Sequence, residues 1–193
     1  EICACLVGSE MCIRDRVYDE YVKEQNKIWK IDNPMEISPS IPEMEVSESW
    51  IKLLAKQMDV AVITIGRNSG EGSDLSEKAF GLIPEEAKLI ENVSREFHAM
   101  KKKVIIVMNI SNVMEVASWR NYADAILLAW QGGQEGGNSI TDILCGAVNP
   151  SGKLTASFPM TYRDVPSYNN FPGTPKDAPN PEYSLYEEGI YLG

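Results

Sequence analysis

Histidine is almost absent from this chain: His98 is the single one in 193 residues. It falls on the polar side of a predicted helix, next to lysines. That placement excludes a Ser-His-Asp relay and argues against a histidine-based metal site. Cysteine is scarce too. Of four, Cys3, Cys5 and Cys12 crowd into the first sixteen residues, leaving Cys145 alone in the rest. No disulfide framework can be built from that, and Cys145, on an apolar helical stretch, reads as a small buried hydrophobe. Basic residues are outnumbered, 18 Lys and Arg against 28 Asp and Glu, for a net charge of −10. An acidic balance of this size excludes nucleic acid as the natural partner, because phosphates need a basic footprint. Nor does any apolar run reach the length of a membrane span.

The first sixteen residues stand apart. Leu6 to Asp15 is what a transposase-type sequencing adapter yields when translated through its mosaic end, and Arg16 completes the junction. We expect residues 1–16 to be an adapter scar on a truncated metagenomic reading frame and to take no part in the fold. The Cys3-x-Cys5 pair is then neither a metal site nor a redox pair. The rest of the chain is long enough for one domain with a substantial core. Both ends read as cut: the scar at one, and a motif interrupted at Tyr191-Leu192-Gly193 at the other.

Along the chain, residues 17–46 read as an irregular lead-in: a charged, aromatic stretch, then a Pro- and Ser-rich linker. Ser47 or Ser49 is placed to cap a helix running to Gln57, with Ile51, Leu54 and Ala55 facing inward. Val60 to Ile65 is short, apolar and β-branched, as in a strand covered on both faces. Pro84 opens a helix to about Met100 whose Leu89, Ile90, Val93 and Phe97 form one apolar stripe. Lys101 to Lys103 would close it as a solvated cap. Further elements are a strand at Val104–Met108, a helix at Val113–Trp119, a strand at Ala125–Trp130, a short helix at Ser139–Cys145 and an edge strand at Lys153–Phe158. Alternating strands and helices predict an α/β fold, a mainly parallel open sheet flanked by helices. The core spans 47–160, and 161–193 forms a long irregular segment crossing the surface.

The most informative junction is the exit of the first strand, Gly66-Arg67-Asn68-Ser69-Gly70-Glu71-Gly72-Ser73-Asp74. Three glycines within seven residues permit a sharp turn, and one carboxylate, Glu71, lies between two of them. Open α/β sheets bind their ligands at this carboxyl end of the strands. On spacing alone, a glutamate in such a turn is most often a solvated turn residue. Ser69 is not a nucleophile elbow, since Arg67 stands where its first glycine would be. A second Gly-rich stretch, Gly132 to Gly137, matches neither the dinucleotide nor the Walker phosphate pattern, and Glu135 would repel phosphate. Its glycines read as close-packing positions and Glu135 as a residue holding the loop. Trp119 and Trp130 read as packing residues. The sequons at Asn92 and Asn109 read as coincidental, one on a helix and one ending a strand.

These stretches, with others, resemble a known family. Ile65–Gly72, Lys103–Ile110, Glu115–Arg120, Ala129–Gly137, Asn149–Leu154, Phe158–Pro159, Asp164–Pro166, Phe171–Gly173 and Tyr186–Tyr191 are similar, in order and spacing, to the C-terminal α/β-sandwich domain of glycoside hydrolase family 3, the β-glucosidase family. The resemblance implies a retaining glycosidase. Such enzymes use two carboxyl groups about 5–5.5 Å apart, one a nucleophile and the other an acid that later serves as base. In this family the nucleophile is an aspartate of a preceding (β/α)8 barrel, and the acid/base is a glutamate of the sandwich domain. Glu71 holds that position here, with Arg67, Asn68, Ser69 and Asp74 as substrate-cleft candidates. The implied partners are the barrel, a further fibronectin-like domain and an oligosaccharide or β-glucoside substrate. The resemblance implies no cofactor or metal, and it is compatible with a periplasmic or secreted location. Without the barrel, the chain is expected to be inactive. Two departures are Asp74 followed by Leu75 instead of Arg, and Ala79-Phe80-Gly81-Leu82 where the family has Asp-Phe-Tyr-Leu. The alternative is a stand-alone carbohydrate-binding or scaffolding module without chemistry.

Overall fold

The computed structural model describes residues 45–67 and 76–169, with Lys23 and Ile190. The proposed scar, the lead-in up to residue 44 and most of the C-terminal segment therefore lie outside the described residues. The first described helix is α1 (Glu48–Gln57), which Ser47 caps, its hydroxyl accepting from the Trp50 amide. Ile51, Leu54 and Ala55 are the buried residues of that helix, as their spacing requires.

Three strands come next: β1 (Val60–Gly66), β2 (Lys103–Asn109) and β3 (Ala125–Leu128). They pair in that order, and both pairings are parallel. Between β1 and β2 come the short helix α2 (Glu77–Phe80) and the long helix α3 (Pro84–Ala99). In register, Ala61, Ile63 and Ile65 lie beside Val104, Ile106 and Met108. These six form one core with Leu89, Ile90, Val93 and Phe97 of α3 and with Ile51 and Ala55 of α1. Val62 and Val107, which alternate to the other face, are buried as well. The strand is thus covered on both faces.

Helix α3 ends in a Schellman turn. The Lys102 amide donates to Phe97 O and the Lys101 amide to His98 O, with Lys101 itself at φ 59°. The expectation of a solvated lysine cap is corrected here. Lys102 Nζ reaches the end of a different helix, α1, donating to Ala55 O at 2.8 Å and Met58 O at 2.6 Å. An ammonium on carbonyls at a helix C-terminus satisfies orphan acceptors and complements the dipole.

Three further expectations are corrected. No helix forms at Val113–Trp119; the chain makes turns there and then a 3-10 turn at Arg120–Tyr122. The backbone donors are spent elsewhere: the Glu115 amide goes to Phe80 O, and the Glu115 carboxylate takes the Ser118 amide and hydroxyl at 2.6 Å each. Met114 and Trp119 are pulled into the core, with Trp119 Nε1 donating to Glu115 O. Residues 153–158 make no strand; Phe158 instead meets the Trp130 ring at 6.3 Å. Cys145 is exposed, because the last helix, α4 (Gly136–Leu144), buries only Gly136 and leaves its C-terminus to solvent. The described residues beyond Pro159 fold into two 3-10 turns, Tyr162–Asp164 and Pro166–Asn169, tied to α2 by Tyr162 against Phe80.

Candidate active site

Parallel strands bring all their carboxyl ends to one edge. Gly66 lies beside Asn109 in register, the Arg67 amide donates to Asn109 O, and the Ala129 amide donates to Met108 O. The exits of β1, β2 and β3 are therefore adjacent. Of the residues expected in the site, Arg67 is described; Asn68, Ser69, Glu71 and Asp74 lie outside the described residues.

Arg67 is tightly engaged by the protein. Its guanidinium forks onto the Glu86 carboxylate, Nη1 to Oε1 and Nη2 to Oε2, the latter at 2.5 Å. It also donates to Gly66 O at 2.8 Å and Gly81 O at 3.4 Å. Glu86 is 5% exposed, in the first turn of α3, and its Oε2 accepts the Ile83 amide at 3.0 Å. One carboxylate thus caps α3 and holds the residue leaving β1. The sequence does not single out Glu86. An acidic residue at the third helical position signals a cap. Its pairing with a residue 19 positions earlier leaves no periodic trace.

The exit of β3 is strained and crowded. Trp130 stands at φ 51°, unusual for a bulky side chain. Gly133 is at φ 63°, and a Cβ on Gly132 would lie 2.7 Å from Gly136 Cα. The close-packing role expected of these glycines is visible at Gly132 alone, since a Cβ on Gly133, Gly136 or Gly137 would meet nothing within 4 Å. Glu135 accepts from Asn138 Nδ2 at 2.7 Å, holding the turn into α4.

At the opposite, amino edge, Asp124 joins the starts of β2 and β3. Its carboxylate takes Lys103 Nζ at 2.6 Å, the Val104 amide at 2.9 Å and His98 Nε2 at 2.9 Å. The Lys103 ammonium first, then the Val104 amide, hold it well below the usual carboxylate range, against a smaller opposing effect of burial. No His/Cys/Asp/Glu group able to hold a metal occurs among the described residues. No helix among them is long and apolar enough to cross a membrane.

Among the described residues the fold is a parallel α/β layer whose strands bring their carboxyl ends to one edge, the edge where open sheets of this kind bind ligands. Comparison with known proteins narrows this. The chain belongs to glycosyl hydrolase family 3, residues 15–193 matching the model of the family's C-terminal domain. It is 32% identical to beta-glucosidase A of Butyrivibrio fibrisolvens over 92% of this chain and 23% of that protein. It is 30% identical to an exo-alpha-(1->6)-L-arabinopyranosidase of Bifidobacterium breve, over 82% of this chain and 19% of the other. Among solved structures, beta-glucosidase 3B of Thermotoga neapolitana in complex with glucose superposes with a TM-score of 0.80 at 49% identity. That match covers 91% of this chain and 24% of the other. The chain thus spans about a quarter of the length of such relatives.

Proposed function

We propose that this domain supplies the general acid/base, Glu71, to a retaining β-glycosidase acting on β-glucosides or oligosaccharides. The observation that carries the reading is the position of the β1 exit. The Ser69-Gly70-Glu71-Gly72 motif follows a strand whose carboxyl end lies beside that of β2, which in turn adjoins β3. Kinship to the beta-glucosidases supports the reaction class. A preceding (β/α)8 barrel contributes the aspartate nucleophile from the other wall of the cleft, and a fibronectin-like domain completes the chain. Glu71 protonates the departing glycosidic oxygen, then deprotonates the water that releases the sugar. For the first step its carboxyl must stay protonated near neutral pH, which burial and the facing aspartate would achieve once the barrel is present. Arg67, held away by Glu86, serves the loop rather than the sugar, and Asn68, Ser69 and Asp74 remain the cleft-lining proposals.

Two assays test this. Residues 17–193 alone should show no turnover of an aryl β-glucoside. The same residues exchanged into the Thermotoga enzyme in place of the matching segment should restore it. In that chimera, Glu71→Gln should lower kcat by about 10²–10⁴-fold on substrates with poor leaving groups. Turnover by residues 17–193 alone, or a Glu71→Gln chimera at full rate, refutes the proposal.

A further inference from the structure

We infer that the outer edge of β1 is a docking edge for one further parallel strand, apolar on both faces and contributed by the chain that precedes this sequence in a longer protein. The inference shares with the proposed function the premise of a longer chain; it does not depend on the role of Glu71.

β1 is an edge strand by pairing and an inner strand by composition. It ends the order β1-β2-β3 and bonds only to β2 among the described residues. Yet Ala61, Val62, Ile63 and Ile65 are all buried, so both of its faces are covered. β3, at the other edge, has the usual character of one: four residues long, with Ile126 40% exposed. β1 has seven residues, Val-Ala-Val-Ile-Thr-Ile-Gly, and no charge or proline guards it. Backbone direction shows what is left open. The Arg67 amide turns to Asn109 O of β2. Direction alternates along a strand, so Ala61, Ile63 and Ile65 turn to β2 as well, while Val60, Val62 and Thr64 turn outward. No hydrogen bond to the outward amides and carbonyls of those three occurs among the described residues. Val62 is 4% exposed, and a peptide group that far from water needs a protein partner.

Handedness says where the partner comes from. α3 joins β1 to β2 across the face that carries Ala61, Ile63 and Ile65, and α1 packs on the same core through Ile51 and Ala55. Only Met58 and Asp59 separate α1 from β1. Parallel crossovers are right-handed almost without exception, so two on one face must step in the same direction. α3 steps from β1 to β2. The crossover that arrives through α1 therefore comes from beyond the outer edge of β1, and the strand that feeds it lies on the open side. The chain spans about a quarter of its relatives' length, which leaves ample chain to provide that strand.

Hydrogen exchange, resolved by residue, compares this chain alone with the chimera, in which the Thermotoga chain precedes the exchanged segment. Alone, the outward amides of Val62 and Thr64 should exchange about 10²-fold faster than the inward amides of Ile63 and Ile65. In the chimera the two sets should agree within about 3-fold. A difference that persists in the chimera overturns the inference. So does its absence from the chain alone at every concentration, which would mean that the chain covers its own edge. Loss of the difference as the chain alone is concentrated, with a dimer in sedimentation, would make a second copy the occupant and overturn it too. Turnover plays no part in the readout, so this result and the acid/base assay can fail separately.

Discussion

Asp124 shows how much one side chain can hold. It joins a lysine, a histidine and a backbone amide across the amino ends of two strands. Its folded pKa is depressed from an ordinary 3.8, so the stability it contributes is complete above that value and drains as pH falls towards the folded one. Asp124→Asn should cost about 1–2 kcal/mol at neutral pH, and the difference should shrink as both proteins are acidified below about pH 4. Urea unfolding between neutral and strongly acidic pH checks this; a constant difference would contradict it. No motif marks Asp124, since its partners lie up to 26 positions away. Residues chosen by periodicity were legible: Ile51, Leu54, Ala55, Leu89, Ile90, Val93 and Phe97 are all buried. Cys145 was misread because an apolar stretch was equated with burial, whereas its helix packs loosely.

At the scale of elements, helices with caps and strands rich in β-branched residues were readable from the sequence. The elements that failed were those where tertiary partners outbid local preference. Val113–Trp119 has helical spacing, but Glu115 commits its amide to Phe80. Lys153–Phe158 alternates like a strand, but it is anchored by an aromatic contact between Phe158 and Trp130. Two substitutions probe the ends that do form. Lys101 occupies the left-handed position that glycine prefers, so Lys101→Gly should stabilise the chain by about 0.5–1 kcal/mol, read as a raised urea midpoint. An unchanged or lowered midpoint would show that the turn is not strained. Conversely, Gly132→Ala forces a methyl against the Gly136 backbone and should destabilise by about 1–3 kcal/mol. Thermal unfolding of the variant checks it, and a wild-type Tm would mean that the turn at Gly132 can open away from the start of α4.

At the scale of the whole molecule, the described residues form a parallel sheet whose strands bring their carboxyl ends to one edge. The edge was legible because parallel topology dictates where strand ends converge, whereas Asn68, Ser69, Glu71 and Asp74 lie outside the described residues. The Arg67–Glu86 fork was not legible, because it depends on how α3 docks beside β1. The chain covers about a quarter of its relatives' length, which supports the proposal that activity belongs to a larger chain in which Glu71 faces a second carboxylate. Azide rescue in the chimera tests that role most directly. With an activated aryl β-glucoside, Glu71→Gln should form the glycosyl-enzyme, stall for lack of a base, and be released by azide as the β-glucosyl azide. Loss of activity without azide product, or no loss at all, would contradict Glu71 as the acid/base.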